Sequence, residues 1–94
     1  MPRKTALNLS EAQVIALKAL TFLAGDSDRL ERFMALTGLG PEEIRAGASD
    51  PSFLAGVLDH FRADQSLLLI FAESEGLDPA EIDRAGMLMG GYVP

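Results

Sequence analysis

The chain has one histidine, His60, followed four residues later by Asp64. Histidine is the side chain whose ordinary pKa lies nearest neutrality, so His60 is the natural candidate for a general base. Residues four apart share one face of a helix, and Asp64 could orient the imidazole there. That chemistry also needs a nucleophile or a metal. The chain contains no cysteine, and no serine near His60 belongs to a known nucleophile motif. A metal would need His60 together with several of Asp59, Asp64, Glu73 and Glu75, yet HExxH, Glu-x-x-His and the EF-hand loop are all missing from the sequence. Asp26-Ser27-Asp28 opens like a calcium loop but lacks its glycine and its closing glutamate, so helix capping is the better reading. No Walker loop and no GxGxxG occurs, and the glycines fall where helices end. The expectation is therefore no catalytic residue, no metal and no cofactor, with His60 a boundary histidine bonded to a carboxylate.

A second pattern could bind nucleic acid. Ala72, Gly76 and Ile82 have the spacing of a helix-turn-helix corner, and Met34, Gly38 and Ile44 repeat it with a larger first residue. The helices that would read DNA are acidic. Asp78, Glu81 and Asp83 stand against Arg84, and Glu42 and Glu43 against Arg45. Backbone phosphates supply most nucleic-acid affinity and need cations. Helix-turn-helix-like corners are kept as the alternative, a nucleic-acid-associated regulator; the main expectation is no nucleic acid.

The elements that place these residues are legible from helix punctuation. Ser10-Glu11-Ala12-Gln13 has the pattern of a capping box, apolar residues crowd Val14 to Leu23, and Gly25 offers a stop. Asp26 or Ser27 caps the next helix, whose apolar set is Leu30, Phe33, Met34 and Leu36. Gly38 ends it and Pro41 opens a short third helix. Asp50-Pro51 begins a fourth, with Phe53, Leu54, Val57, Leu58 and Phe61 as its apolar face. Asp64 caps a fifth, Gly76 stops it, and Asp78-Pro79 begins a sixth that fades before Gly90-Gly91. No strand pattern persists.

GLGPEEI at Gly38–Ile44 and GLDPAEI at Gly76–Ile82 stand 38 positions apart. At that offset Leu20, Asp26, Leu30, Phe33, Gly38, Leu39, Pro41, Glu43 and Ile44 are each matched by an identical residue. These are caps, stops and core positions. The sequence predicts an all-α domain over 1–94, in which six short helices form one orthogonal bundle from two similar three-helix units, with loose ends at about 1–8 and 90–94. The units differ in their middle helices, where Arg29, Glu31 and Arg32 give way to Leu67, Leu69 and Ile70. A helix apolar on so many sides is expected at the centre of the bundle or against a second molecule.

The net charge is −6, from eight Lys and Arg against fourteen Asp and Glu. Nearly half of the chain is hydrophobic, which argues against disorder. No run approaches the ~20 apolar residues of a membrane span, so no membrane partner is expected. The start of the chain does not read as a signal peptide, which makes a cytoplasmic location the default.

TFLAGDSDRLERFMALTGLGPEEIRAGASDPSFLAGVLDHF and SLLLIFAESEGLDPAEI together resemble a family of short alphaproteobacterial proteins, domain of unknown function 3572. The likeness runs from about Leu9 to about Met89. It implies a small helical bacterial protein and carries no site residue, because the family has no assigned activity, cofactor or partner. The function expected is a small cytoplasmic protein-interaction or adaptor module without catalytic activity. Its partner is an unidentified protein or a second copy of itself. Phe22, Met87, Leu88 and Met89 are the expected exposed apolar surface.

Overall fold

The computed structural model describes residues 7–91. Six α-helices follow in chain order: α1 (Leu9–Ala24), α2 (Ser27–Thr37), α3 (Pro41–Gly47), α4 (Pro51–Arg62), α5 (Gln65–Glu75) and α6 (Pro79–Gly86). A short π-helical segment, Met87–Gly91, continues from α6. The described residues contain no strand. None of the helices is long and apolar enough to cross a membrane.

The helix starts follow from capping. α1 begins earlier than its Ser10 pattern predicts. The Asn8 side-chain oxygen accepts the Glu11 N–H at 2.8 Å, and the Glu11 carboxylate accepts the Asn8 N–H at 3.1 Å. This reciprocal pair satisfies two amides that the helix itself cannot, so the box closes at Asn8 and not at Ser10. Leu7 packs against the core just ahead of it. Leu7 and Asn8 both fall within the expected loose start of about 1–8. Gly90, expected in the loose tail, is held in the π-helical segment, where an added Cβ would come within 2.7 Å of the Ala55 Cβ. The rest of both expected loose ends, 1–6 and 92–94, lies outside the described residues.

Downstream, Asp26 caps α2 by accepting from Asp28 and Arg29, and Asp64 caps α5 by accepting from Leu67. Pro41 and Pro79 occupy the first turns of α3 and α6, where a missing N–H costs nothing. Glu43 and Glu81 reach back to the Gly40 and Asp78 N–H groups at 2.6 and 2.9 Å. Gly38 and Gly76 end α2 and α5 at φ +78° and +69°, the positive-φ residues among those described. Only glycine adopts that region without steric cost.

This punctuation recurs at the 38-residue spacing, but the packing does not. The centre is made by α1, α4 and α6, which lie against one another. α1 turns Ala12, Ile15, Ala16, Ala19, Leu20 and Leu23 inward, the three- and four-residue stripe of one helix face. α4 answers with Leu54, Ala55, Val57, Leu58 and Phe61, and α6 with Ile82 and Ala85. α6 is thus a central helix, whereas α3, its counterpart by sequence, touches chiefly α4. Phe61, Phe71 and Phe22 form a tilted aromatic cluster with centroid separations from 5.0 to 6.3 Å. Each fully buried ring adds roughly 1.5–3 kcal/mol of transfer free energy.

Of the two places its apolar run suggests, the centre of the bundle or a face toward a second molecule, α5 does not take the first. Leu67, Leu68, Phe71 and Ala72 are buried, while Leu69 and Ile70 are each 46% exposed. α1, α4 and α6 pack against one another, and the outer side of α5 is left in solvent. Leu36 was grouped with the apolar face of α2, yet it is 64% exposed. Its position two residues beyond Met34 places it off the stripe formed by Leu30, Phe33 and Met34.

Candidate functional site

Among the described residues, three surfaces bear on the sequence expectations. The first is a cleft of about 380 Å³ where α2 meets the α4–α5 corner. Arg32 and Leu36 come from α2, His60 and Ala63 from the end of α4, and Asp64, Gln65 and Ser66 from the start of α5. The fold thus brings together the histidine and carboxylate singled out from sequence, with a serine beside them.

The chemistry does not follow from that gathering. The His60 Nε2 atom is buried and has no hydrogen-bond partner. Its ring packs edge-on against Phe33, with centroids 4.9 Å apart and an interplanar angle of 80°. Phe61 lies 6.0 Å away at 86°. The expected bond from the histidine to a carboxylate is absent at this nitrogen. Asp64 is engaged as the α5 cap, accepting the Leu67 N–H at 3.2 Å. A backbone amide at a helix start competes for that carboxylate at no cost in side-chain rearrangement. Burial pushes the His60 pKa below its ordinary value, Asp64 opposes the shift, and Arg32 adds to it. A base must reach the proton it abstracts, and the Nε2 side of the ring is sealed from the cleft. No three carboxylate or histidine groups converge as a metal site among the described residues.

The second surface is an apolar groove of about 460 Å³ between α1, α2 and α3. Leu20 and Ala24 of α1, Leu30 and Met34 of α2, and Ile44 of α3 line it, with Ala48 just beyond. Arg45 also lines it and is paired with Glu42 at 3.1 Å. The third surface is a set of exposed apolar residues on helix exteriors. Leu9, Val14 and Leu17 lie on α1, Leu36 on α2, Leu69 and Ile70 on α5, and Met87 and Leu88 on the π-helical segment.

The four residues expected from sequence to form one exposed surface divide into pairs. Met87 and Leu88 are 51% and 45% exposed. Phe22 and Met89 are partly buried and pack against the core. Phe22 is further covered by the Arg29 guanidinium, 4.7 Å from its ring centroid, a favourable cation–π arrangement. Leu69 and Ile70, expected either at the centre of the bundle or against a second molecule, are exposed. Their flanks held the signal: Ser66 and Glu73 share their helical face at the three- and four-residue spacing, and a face bounded by polar residues points outward.

The helix-turn-helix alternative also meets geometry here. Ile82, Ala85 and Gly86 are buried, so α6 lies in the core with its acidic side outward. On α3, the Arg45–Glu42 pair occupies the one cation.

No curated protein and no solved structure matches the chain. A family model described as a protein of unknown function (DUF3572) matches residues 9–92, and the chain belongs to that family.

Proposed function

We propose that this protein is a small protein-interaction or adaptor module without catalytic activity, and that its partner docks on the outer face of α5. One observation carries the reading. Leu69 and Ile70 stand 38 positions after Glu31 and Arg32, and all four side chains lie on exposed helix exteriors. The same outward position is charged on α2 and apolar on α5. Exposure alone therefore does not demand apolar residues there, and two adjacent exposed apolar side chains supply an apolar centre for a docking face. Glu73 completes the α5 face, and Glu75 follows at a helix end that has no basic residue in its last turn. Carboxylates beside a helix C-terminus are electrostatically unfavourable until a cation covers them. The complementary partner is a basic amphipathic helix. The cytoplasmic location expected from sequence belongs to this proposal, and nucleic acid does not.

The test is a photo-crosslinking residue placed at Leu69 in intact source cells, with Glu31 as the control position. A discrete protein adduct at Leu69, absent at Glu31 and abolished by Ile70→Lys, supports the reading. An adduct of doubled mass would make the partner a second copy of this chain. Equal labelling at both positions, or none at Leu69, refutes it.

A further inference from the structure

We infer that His60 is an acid-sensitive latch for α2: protonation of its imidazole unseats Phe33 and frees α2 from α4, while α2 stays against α1. This goes beyond the docking role of α5 and requires no partner.

The inference starts from how α2 is held. Phe33 is the single buried side chain of α2 and is 1% exposed. Its ring sits against His60 at 4.9 Å and against Phe53 at 6.3 Å, both on α4. The grip of α2 on α4 is thus an aromatic contact in which one ring titrates. Leu30 and Met34 add partly covered contacts across the groove shared with α1.

The closed form suits a neutral imidazole. A protonated ring has two N–H donors and needs an acceptor for each. Nε2 is sealed and has none. A charge there would be desolvated among phenylalanines. Moving Phe33 aside admits water to Nε2 and satisfies the charge. Two charged groups face the ring from neighbouring elements. Arg32 on α2 repels the imidazolium, while Asp64 at the head of α5 attracts it. Gln65 and Ser66 also line the cleft and are neutral. On α4 itself, Asp59 is drawn to Arg62 at 3.5 Å. The attraction from Asp64 is outweighed, since burial leaves the imidazole pKa below its ordinary value.

The sign follows by linkage. The open form binds the proton more readily than the closed form, so lowering pH favours opening. The latch is fully closed above the ordinary histidine value of about 6.5. It weakens as pH falls from there through the lower value of the closed state. Each tenfold difference in proton affinity between the two forms lowers the closed population's advantage tenfold.

The experiment uses the full chain. Because His60 is the sole histidine, one imidazole resonance reports its titration directly by NMR. Hydrogen exchange, corrected for intrinsic rates, reports the opening of α2. Protection of the α2 amides is expected to fall across the His60 titration, while α4 amides keep theirs. His60→Phe is expected to retain α2 protection over the same range. If that variant does not fold, the wild-type curves decide, since the midpoint of α2 opening must follow the imidazole resonance. The inference is overturned by an imidazole that titrates at or above its ordinary value. It is also overturned by α2 protection that ignores the titration, or by equal loss of protection in His60→Phe.

Discussion

Adding one methyl group at three glycines should produce opposite effects on stability, and the structure sets each sign. Gly38 and Gly76 have φ of +78° and +69°, and a Cβ built at either would meet nothing within 4 Å. The cost of Gly38→Ala or Gly76→Ala is therefore purely conformational. An L side chain in the left-handed region costs about 1–2 kcal/mol. The substitution also stiffens the unfolded chain, which returns about 0.4–1 kcal/mol. The net expected loss is about 1 kcal/mol at each site. Gly56 is different. It lies inside α4, and its Cβ would also meet nothing within 4 Å. There Gly56→Ala improves helix propensity and should stabilise by about 0.5–1 kcal/mol. Urea unfolding followed by far-UV circular dichroism reads these differences as shifts in midpoint at constant slope. In thermal melts, each kcal/mol corresponds to roughly 4–8 °C for a domain of this size. Two outcomes refute the reasoning. One is Gly38→Ala or Gly76→Ala leaving stability unchanged or raised. The other is Gly56→Ala destabilising as they do, which would mean that φ does not set the response, since the space around all three glycines is equally open.

Phe33→Ala should cost about 3–5 kcal/mol of the contacts that hold α2, as large-to-small core changes do; loss of exchange protection confined to α2 is the expected signature, and unchanged α2 protection counts against it. Asp26→Ala and Asp64→Ala remove caps that accept from Arg29 and Leu67, and each should lower stability by about 1 kcal/mol in chemical denaturation. Arg62→Met removes links to Asp83 at 2.9 Å and Asp59 at 3.5 Å; these pairs are partly exposed, so the loss should stay within about 1 kcal/mol and shrink with added salt. Duplex DNA should not bind at physiological salt, and a fluorescence-anisotropy titration giving sub-micromolar affinity with a steep salt dependence would overturn that expectation.

Helix identity was written in the sequence because it depends on neighbours a few residues apart. Asp26, Asp50, Asp64 and Asp78 each cap the helix that follows, as their positions before apolar runs or prolines imply. Gly38 and Gly76 had to take positive φ, because a glycine after the last helical turn is the usual way to end it. The inward stripe of α4 was equally plain, since Leu54, Val57, Leu58 and Phe61 follow the helical period. The start of α1 was misplaced because Asn8–Glu11 and Ser10–Gln13 both have capping spacing, and local pattern alone cannot choose between them. Helix neighbours were decided only by tertiary packing. The punctuation at 38-residue spacing said nothing of α6 entering the centre while α3 stayed outside, because that choice depends on which apolar faces meet first. The same competition left Leu69 and Ile70 in solvent and gave His60 a phenylalanine ring in place of a carboxylate. Burial is a property of the whole chain closing on itself, and it fixed which of the chemically suggestive residues could act.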